Sequence, residues 1–181
     1  MPKARAPVEP RGREVGRYGG GMETHGMEIR LAKVEDAEAA LDLVRRSIVE
    51  LCREDHHGDR LTLEGWLANK SLKNMTAWIN MFDCTVVVAE KAGRLAGVGA
   101  FMGAGEVILL YVAPEDRFTG VSKVLLADIE DRARKMRLPM LRLTSSITAQ
   151  RFFLERGYEK EEDEGDLFEP GEGSDMKKRL D

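Results

Sequence analysis

The sequence predicts a mixed α/β (α+β) domain. Short runs rich in β-branched and aliphatic residues, such as Cys84–Glu90 and Val107–Val112, read as strands. Longer stretches place apolar residues at spacings of three to five, as from Ala37 to Cys52 and from Val124 to Ala133, and read as helices. The two kinds alternate along a chain of 181 residues with no internal repeat, which fits one domain. A chain near that size buries roughly 68–70% of its unfolded surface, enough for an independent core.

Residues 1–26 differ from the rest. They hold Pro2, Pro7, Pro10 and six glycines, five basic and three acidic residues, and almost no large aliphatics. Such a segment cannot bury enough to offset its ordering entropy, so it is expected to be a flexible extension, or an upstream start in front of Met22 or Met27. It lacks the apolar core of a secretory signal, and its acids do not suit a transit peptide. Residues 27–181 are then the folded domain.

Ile29 to Lys33 reads as a first strand. Ala37, Leu41, Val44, Ile48 and Leu51 or Cys52 form the stripe of a long amphipathic helix. A charged break at Glu54–Arg60 precedes helical pieces near Leu61–Ala68 and Leu72–Met81. Cys84–Glu90 and Leu95–Met102 flank Lys91-Ala92-Gly93-Arg94, a hairpin turn. Glu106–Ala113 is the next strand, and a helix from Gly120 to about Met136 stops at Leu138-Pro139. Leu141–Thr144 reads as a strand and Thr148–Arg156 as a helix ended by Gly157. Tyr158–Glu161 and Asp175–Leu180 close the domain as a hairpin across an acidic loop.

Composition excludes several classes. A formal net charge of −4, or about −6 without the basic N-terminal segment, argues against a binder that neutralises nucleic-acid phosphates. No apolar run approaches 18 residues, so no membrane helix is expected. Cys52 and Cys84 make neither a disulfide framework nor a Cys-x-x-Cys site, and a reducing cytoplasm is the expected compartment. Asp55-His56-His57-Gly58-Asp59 has no metal-ligand spacing, so no metal is expected there and a helix-ending turn is the simpler reading. The nine methionines are assigned to the core.

Tyr111 to Lys123 joins a strand, a glycine-bearing loop and a helix start, a combination that offers unpaired N–H groups and a positive dipole end to phosphate. Within it, Arg117-Phe118-Thr119-Gly120-Val121-Ser122 resembles the acyl-CoA loop of the GNAT (Gcn5-related N-acetyltransferase) superfamily, Gln/Arg-x-x-Gly-x-Gly/Ala. A second block, Ser146 to Tyr158, is similar to the family's Asn/Ser-x-x-Ala-x-x-Phe-Tyr-x-x-x-Gly-Phe segment. The resemblance is strongest from Glu106 to Tyr158 and extends from Ile29 to the C-terminus. It implies a mixed, mostly antiparallel central sheet flanked by about four helices, with acetyl-CoA as co-substrate and an amine of a small molecule or protein as acceptor. A homodimer is left open.

The resemblance also implies site residues. Loop amides from Arg117 through Phe118, Thr119, Gly120, Val121 and Ser122 to Lys123 would wrap the pyrophosphate, with Gly120 permitting close approach. Ser122 stands where Gly or Ala is usual, and Phe118 is bulky for the loop tip. Leu110, Tyr111 and Val112 would pair with the pantetheine arm, and an N–H near Val112 would face the thioester oxygen. Ser146, Ala149 and Phe153 would complete the cofactor wall. Glu106, eleven positions before Arg117, is the candidate general base, its competing reading being a solvated acid at a turn. Phe153 occupies the position of a common Tyr general acid, with Ser146 and Tyr158 as substitutes, although packing suits Tyr158 better.

Asp55, His56 and Trp66 would border the acceptor pocket. The acidic run Glu159–Asp166 reads as a solvated loop or as a lure for a cationic acceptor. Two functions follow: an acetyl-CoA-dependent N-acetyltransferase, or a non-catalytic acyl-CoA-binding module that regulates a partner. A P-loop nucleotide binder is disfavoured, because the Lys-Ser/Thr ending is absent.

Overall fold

The computed structural model of the chain describes residues 26–161 and 173–180. The N-terminal extension before residue 26 and most of the acidic run lie outside the described residues. Four strands, β1 (Met27–Leu31), β2 (Cys84–Lys91), β3 (Arg94–Met102) and β4 (Val107–Val112), form an antiparallel sheet in that order. A second antiparallel sheet has the order β5 (Met140–Ser145), β7 (Ser174–Arg179), β6 (Glu159–Lys160). The predicted mixed α/β class therefore holds, with the expected sheet divided into two parts. The parts meet at a parallel bridge between Glu106 and Arg142, where the Arg142 N–H donates to the Gly105 carbonyl at 2.8 Å.

The β2–β3 turn forms where the sequence predicts it. Ala92 and Gly93 both take positive φ, 50° and 74°, the pattern of a two-residue turn whose twist matches its strands. β2 buries both of its faces: Val87 and Ala89 enter one core, Val86 and Val88 the other. An unbroken β-branched run is what a doubly covered strand requires.

Helix α1 (Ala37–Leu51) covers one face, burying Ala37, Ala40, Leu43, Val44 and Ile48. The charged break contains a one-turn helix, α2 (Arg53–His56), ended by left-handed His57. Helices α3 (Arg60–Leu67) and α4 (Leu72–Asn80) follow, each capped by its own preceding side chain, Asp59 and Ser71. On the opposite face lies α5 (Val121–Lys135), which buries Val121, Leu125, Leu126, Ile129 and Ala133. Each of its large aliphatic side chains contributes about 1.5–3 kcal/mol by leaving water. Helix α6 (Ile147–Leu154) packs beside β5, and left-handed Gly157 ends its turn as predicted.

The seating of α5 depends on glycines in β3. A Cβ at Gly97 would lie 2.6 Å from both Leu125 Cδ1 and Val121 Cγ1, and one at Gly99 would lie 2.8 Å from Ile129 Cδ1. Only a bare backbone lets the helix approach so closely. Gly97→Ala should therefore cost about 1–3 kcal/mol through overpacking, read as a lower urea midpoint. A variant with the native midpoint would mean that α5 is not held at this depth.

Candidate functional site

Beyond the Glu106–Arg142 bridge, β4 and β5 diverge, and among the described residues no further bridge joins them. A cleft of about 340 Å³ opens between them. Its walls come from β4, from Leu143–Ser145 of β5, from α6, from the start of α5, and from the end of α1 with Trp66. The separation leaves strand edges whose N–H and C=O groups lack the ladder partners a continuous sheet would supply. A register shift between Ala100 and Phe101 opposite β4 leaves Ile108 as an extra residue, so β4 is bulged where it begins to part from β5.

At one end of the cleft stands the α5 N-terminus. Gly120 is its cap residue with φ 90°, and no side chain caps the helix. A Cβ at Gly120 would meet no atom within 4 Å, so the space beside this backbone is open. The first-turn amides are therefore free to receive an anion. Pro114–Asp116 makes a 3₁₀ turn before the loop, and Phe118 follows in a left-handed conformation, φ 64°. Phe118 is 91% exposed, and the Arg117 guanidinium lies 4.6 Å from its ring centroid.

The loop is moored by Asp116, which is 2% exposed. Its carboxylate accepts from Lys91 at 3.2 Å and Arg94 at 2.5 Å, and the Thr119 hydroxyl donates to its carbonyl at 2.8 Å. Burial pushes the Asp116 carboxyl up, but the Arg94 and Lys91 cations outweigh it and hold the group below the usual carboxylate range. Glu115 adds an exposed pair with Arg46 of α1. The loop before α5 is thus tied both to the β2–β3 hairpin and to α1.

Leu110, Tyr111, Val112, Arg117, Phe118, Val121 and Ser122 all line the cleft. Thr119, Gly120 and Lys123 are exposed and do not line it. Ser146, Ala149 and Phe153 line the α6 side. Phe153 is also packed edge-to-face with Tyr158, centroids 5.4 Å apart, so it belongs to cleft and core together. Tyr158 is buried in that core beside Glu130, consistent with packing.

The acceptor-side candidates divide. Trp66 lines the cleft with Ser47, Leu51 and Cys52. His56 and Asp55 are buried and lie outside its lining. The His56 Nδ1 accepts the Gly58 N–H at 3.0 Å, its Nε2 is buried without a partner among the described residues, and its ring meets Trp66 edge-on. Asp55 accepts the Thr148 N–H at 2.9 Å and the Thr148 hydroxyl at its other oxygen. Among the described residues no group of three His, Cys, Asp or Glu is placed to hold a metal ion.

Glu106 is exposed and lines a second cavity of about 370 Å³ with Arg142, Glu161 and Asp175, and does not line the main cleft. Leu143 and Thr144 line both cavities. Burial pushes the Tyr111 phenol up to about 12 and the Cys52 thiol up to about 11, so both keep their protons at neutral pH. Ser47, Cys52, Thr144 and Phe152 are cleft residues that sequence reasoning missed. The α1 stripe carried a signal for Cys52 and its neighbour Ser47, and the second motif block one for Phe152, whereas Thr144 had none.

A family model described as an acetyltransferase (GNAT) domain matches residues 52–178. Among solved structures, a GCN5-related N-acetyltransferase from Rhodopseudomonas palustris is 24% identical, with 89% of this chain and 100% of that chain covered, at a TM-score of 0.74. PaiA N-acetyltransferase from Thermoplasma acidophilum, solved with coenzyme A, is 21% identical over 84% and 98% of the two chains, with a TM-score of 0.69. N-acetylglutamate synthase from Neisseria gonorrhoeae, solved with coenzyme A and N-acetyl-glutamate, is 24% identical over 86% of this chain and 35% of its own, with a TM-score of 0.62. At these identities the likeness establishes the fold. No curated protein matches the sequence.

Two outcomes test the loop. Gly120→Val should weaken coenzyme A binding far more than it lowers the unfolding midpoint, because the side chain would fill open space while straining a positive φ. Equal binding by a folded Gly120→Val protein, measured by calorimetry, would remove the anion site from this loop. Asp116→Asn should lose about 1–2 kcal/mol of stability at pH 7. Because the folded carboxyl is depressed, that contribution is present above the ordinary carboxylate pKa and lost as pH falls through the lower folded value. The gap between wild type and Asp116→Asn should therefore close below about pH 4 in urea titrations.

Proposed function

Because the chain belongs to the GNAT family of acetyltransferases, we propose that it is an acetyl-CoA-dependent N-acetyltransferase acting on a primary amine of a small molecule or protein. The carrying observation is the cleft between the parted strands β4 and β5, closed at one end by the uncapped start of α5. Acetyl-CoA supplies an acyl thioester, on whose carbonyl carbon the amine forms its C–N bond as the C–S bond breaks.

In this reading each wall has one task. The α5 amides and the Arg117 guanidinium hold the pyrophosphate, and the edge of β4 at Leu110–Val112 pairs with the extended pantetheine. A β4 N–H near Val112 faces the carbonyl oxygen and stabilises its growing charge. Trp66, Cys52 and Ser47 orient the acceptor. Glu106 takes the ammonium proton through water from the second cavity, a route supported by the residues common to both cavities.

Phe153 has no proton to give the departing sulfur. An unperturbed thiol ionises at about pH 8.5, so expelling it as thiolate near pH 7 costs only about 2 kcal/mol. Burial pushes the Tyr111 phenol in the cleft up to about 12, so it keeps its proton rather than giving it to a sulfur that ionises at about pH 8.5, and the sulfur leaves as thiolate. No helix among the described residues is long and apolar enough to cross a membrane, and a cytoplasmic setting completes the proposal.

A second reading, an acyl-CoA-binding module without turnover, is favoured by two observations: Phe153 lacks a hydroxyl, and Glu106 stands outside the main cleft. A coenzyme A release assay across a broad amine panel separates the two. Glu106→Gln should lower turnover at neutral pH by about a hundredfold while leaving coenzyme A affinity unchanged, since moving a proton does not hold the nucleotide. An unaltered pH–rate profile would place the base elsewhere. Binding without turnover on any amine would favour the module.

A further inference from the structure

Helix α6 carries part of the cofactor wall, yet its own cap residue leaves it unsatisfied: Ser146 makes no side-chain capping bond. The missing acceptor arrives from 93 positions earlier in the chain. One carboxylate oxygen of Asp55 accepts the Thr148 backbone N–H at 2.9 Å, and the other accepts the Thr148 hydroxyl. A buried carboxylate facing first-turn donors is stabilised by both hydrogen bonds and by the helix dipole.

Asp55 itself sits on a locked turn. The N–H groups of Asp55 and His56 both donate to the Cys52 carbonyl, at 3.0 and 3.1 Å. The His57 N–H reaches the Arg53 carbonyl at 2.9 Å, and the His56 Nδ1 accepts the Gly58 N–H. Cys52, the residue that anchors this turn, lines the acceptor side of the cleft, whereas Thr148, Ala149 and Phe152 line the cofactor side.

We propose that Asp55 is a positioning residue that clamps α6 against the acceptor wall and so fixes the width of the cleft for the cofactor. The inference rests on the acetyltransferase reading above and gives Asp55 a task other than touching the acceptor or moving its proton. Both of its oxygens are occupied by Thr148. With the clamp released, α6 loses this side-chain tie to α2, and Ala149 and Phe152 no longer have a fixed distance from β4.

The test uses the full chain and coenzyme A as the probe, by calorimetry, with unfolding midpoints measured on every protein. Asp55→Ala should weaken coenzyme A binding about tenfold, the equivalent of one helix cap. Asp55→Asn keeps an acceptor oxygen and the shape, and should restore part of that loss. Thr148→Val should weaken binding in the wild-type background and add nothing in Asp55→Ala, because the two side chains act as one unit. Hydrogen exchange at the Thr148 amide should accelerate in Asp55→Ala while the β2 amides stay protected.

If Asp55→Ala does not fold, the Asp55→Asn and Thr148→Val arms and their double variant carry the same comparison. Wild-type affinity in the Asp55 variants, or strictly additive losses in the cycle, would overturn the clamp and leave the functional reading standing. A wild-type protein that binds no coenzyme A would overturn that reading and the clamp with it.

Discussion

Everything near the cleft follows from one constraint: β4 and β5 touch at Glu106–Arg142 and then part. A parallel pair that continued would satisfy its own backbone and leave no room between. Once the strands diverge, backbone donors and acceptors face a gap, and their desolvation becomes costly unless water or an extended ligand meets them. The surrounding elements are arranged around that gap. The bulge at Ile108 turns β4 as it separates, α5 brings free amides to one end, and α6 closes the side that β5 has left. The same arrangement explains why two cores exist, since the sheet that carries β4 must be packed on both faces to keep its open edge in place.

Holding an open edge demands stiffness from the connections. The loop between β4 and α5 contains a left-handed Gly120, which glycine adopts freely, and a left-handed Phe118, a strained conformation for a bulky side chain. Asp116 offsets that cost by burying its carboxylate against Lys91 and Arg94 of the hairpin. Such a pair stabilises the fold only modestly, because both cations remain partly in water. Its larger effect is geometric: it ties down the turn that precedes Arg117 and Phe118, both of which line the cleft. On the proposed function, binding then needs little ordering of the protein.

Local features were legible in the sequence because they are written in neighbouring residues. The stripe of α1, the Ala92-Gly93 turn and the strand–loop–helix from Val107 to Lys135 all depend on spacings shorter than a dozen residues. The two motif blocks likewise named Arg117, Val121, Ala149 and Phe153, which do line the cleft. What stayed hidden depends on long-range pairing. Nothing local says that β7 inserts between β5 and β6, or that the sheet divides at Arg142. Asp55 and His56 read as pocket residues because the first two helices often border the acceptor pocket in proteins that the sequence resembles. The structure turns both inward, one to cap α6 and one to brace its own turn. Glu106 was located by its offset from the loop, but its side-chain direction depends on the bulge that follows it, which no spacing reveals.

The capping of α6 has a consequence for direction. Two helix N-termini reach the cleft, and ordinarily each would attract an anion. At α6 that attraction is already consumed by the buried Asp55 carboxylate; at α5 it is left open beside Arg117. Of these two helix starts only that of α5 therefore still favours an anion, although the apolar walls of the groove would accept a flexible chain in either sense. A rod-shaped molecule with its phosphates at one extremity has a single sense in which it can lie. Under the proposed function, head would be sorted from tail before the reacting atoms meet, by the α5 backbone dipole and the Arg117 guanidinium acting together.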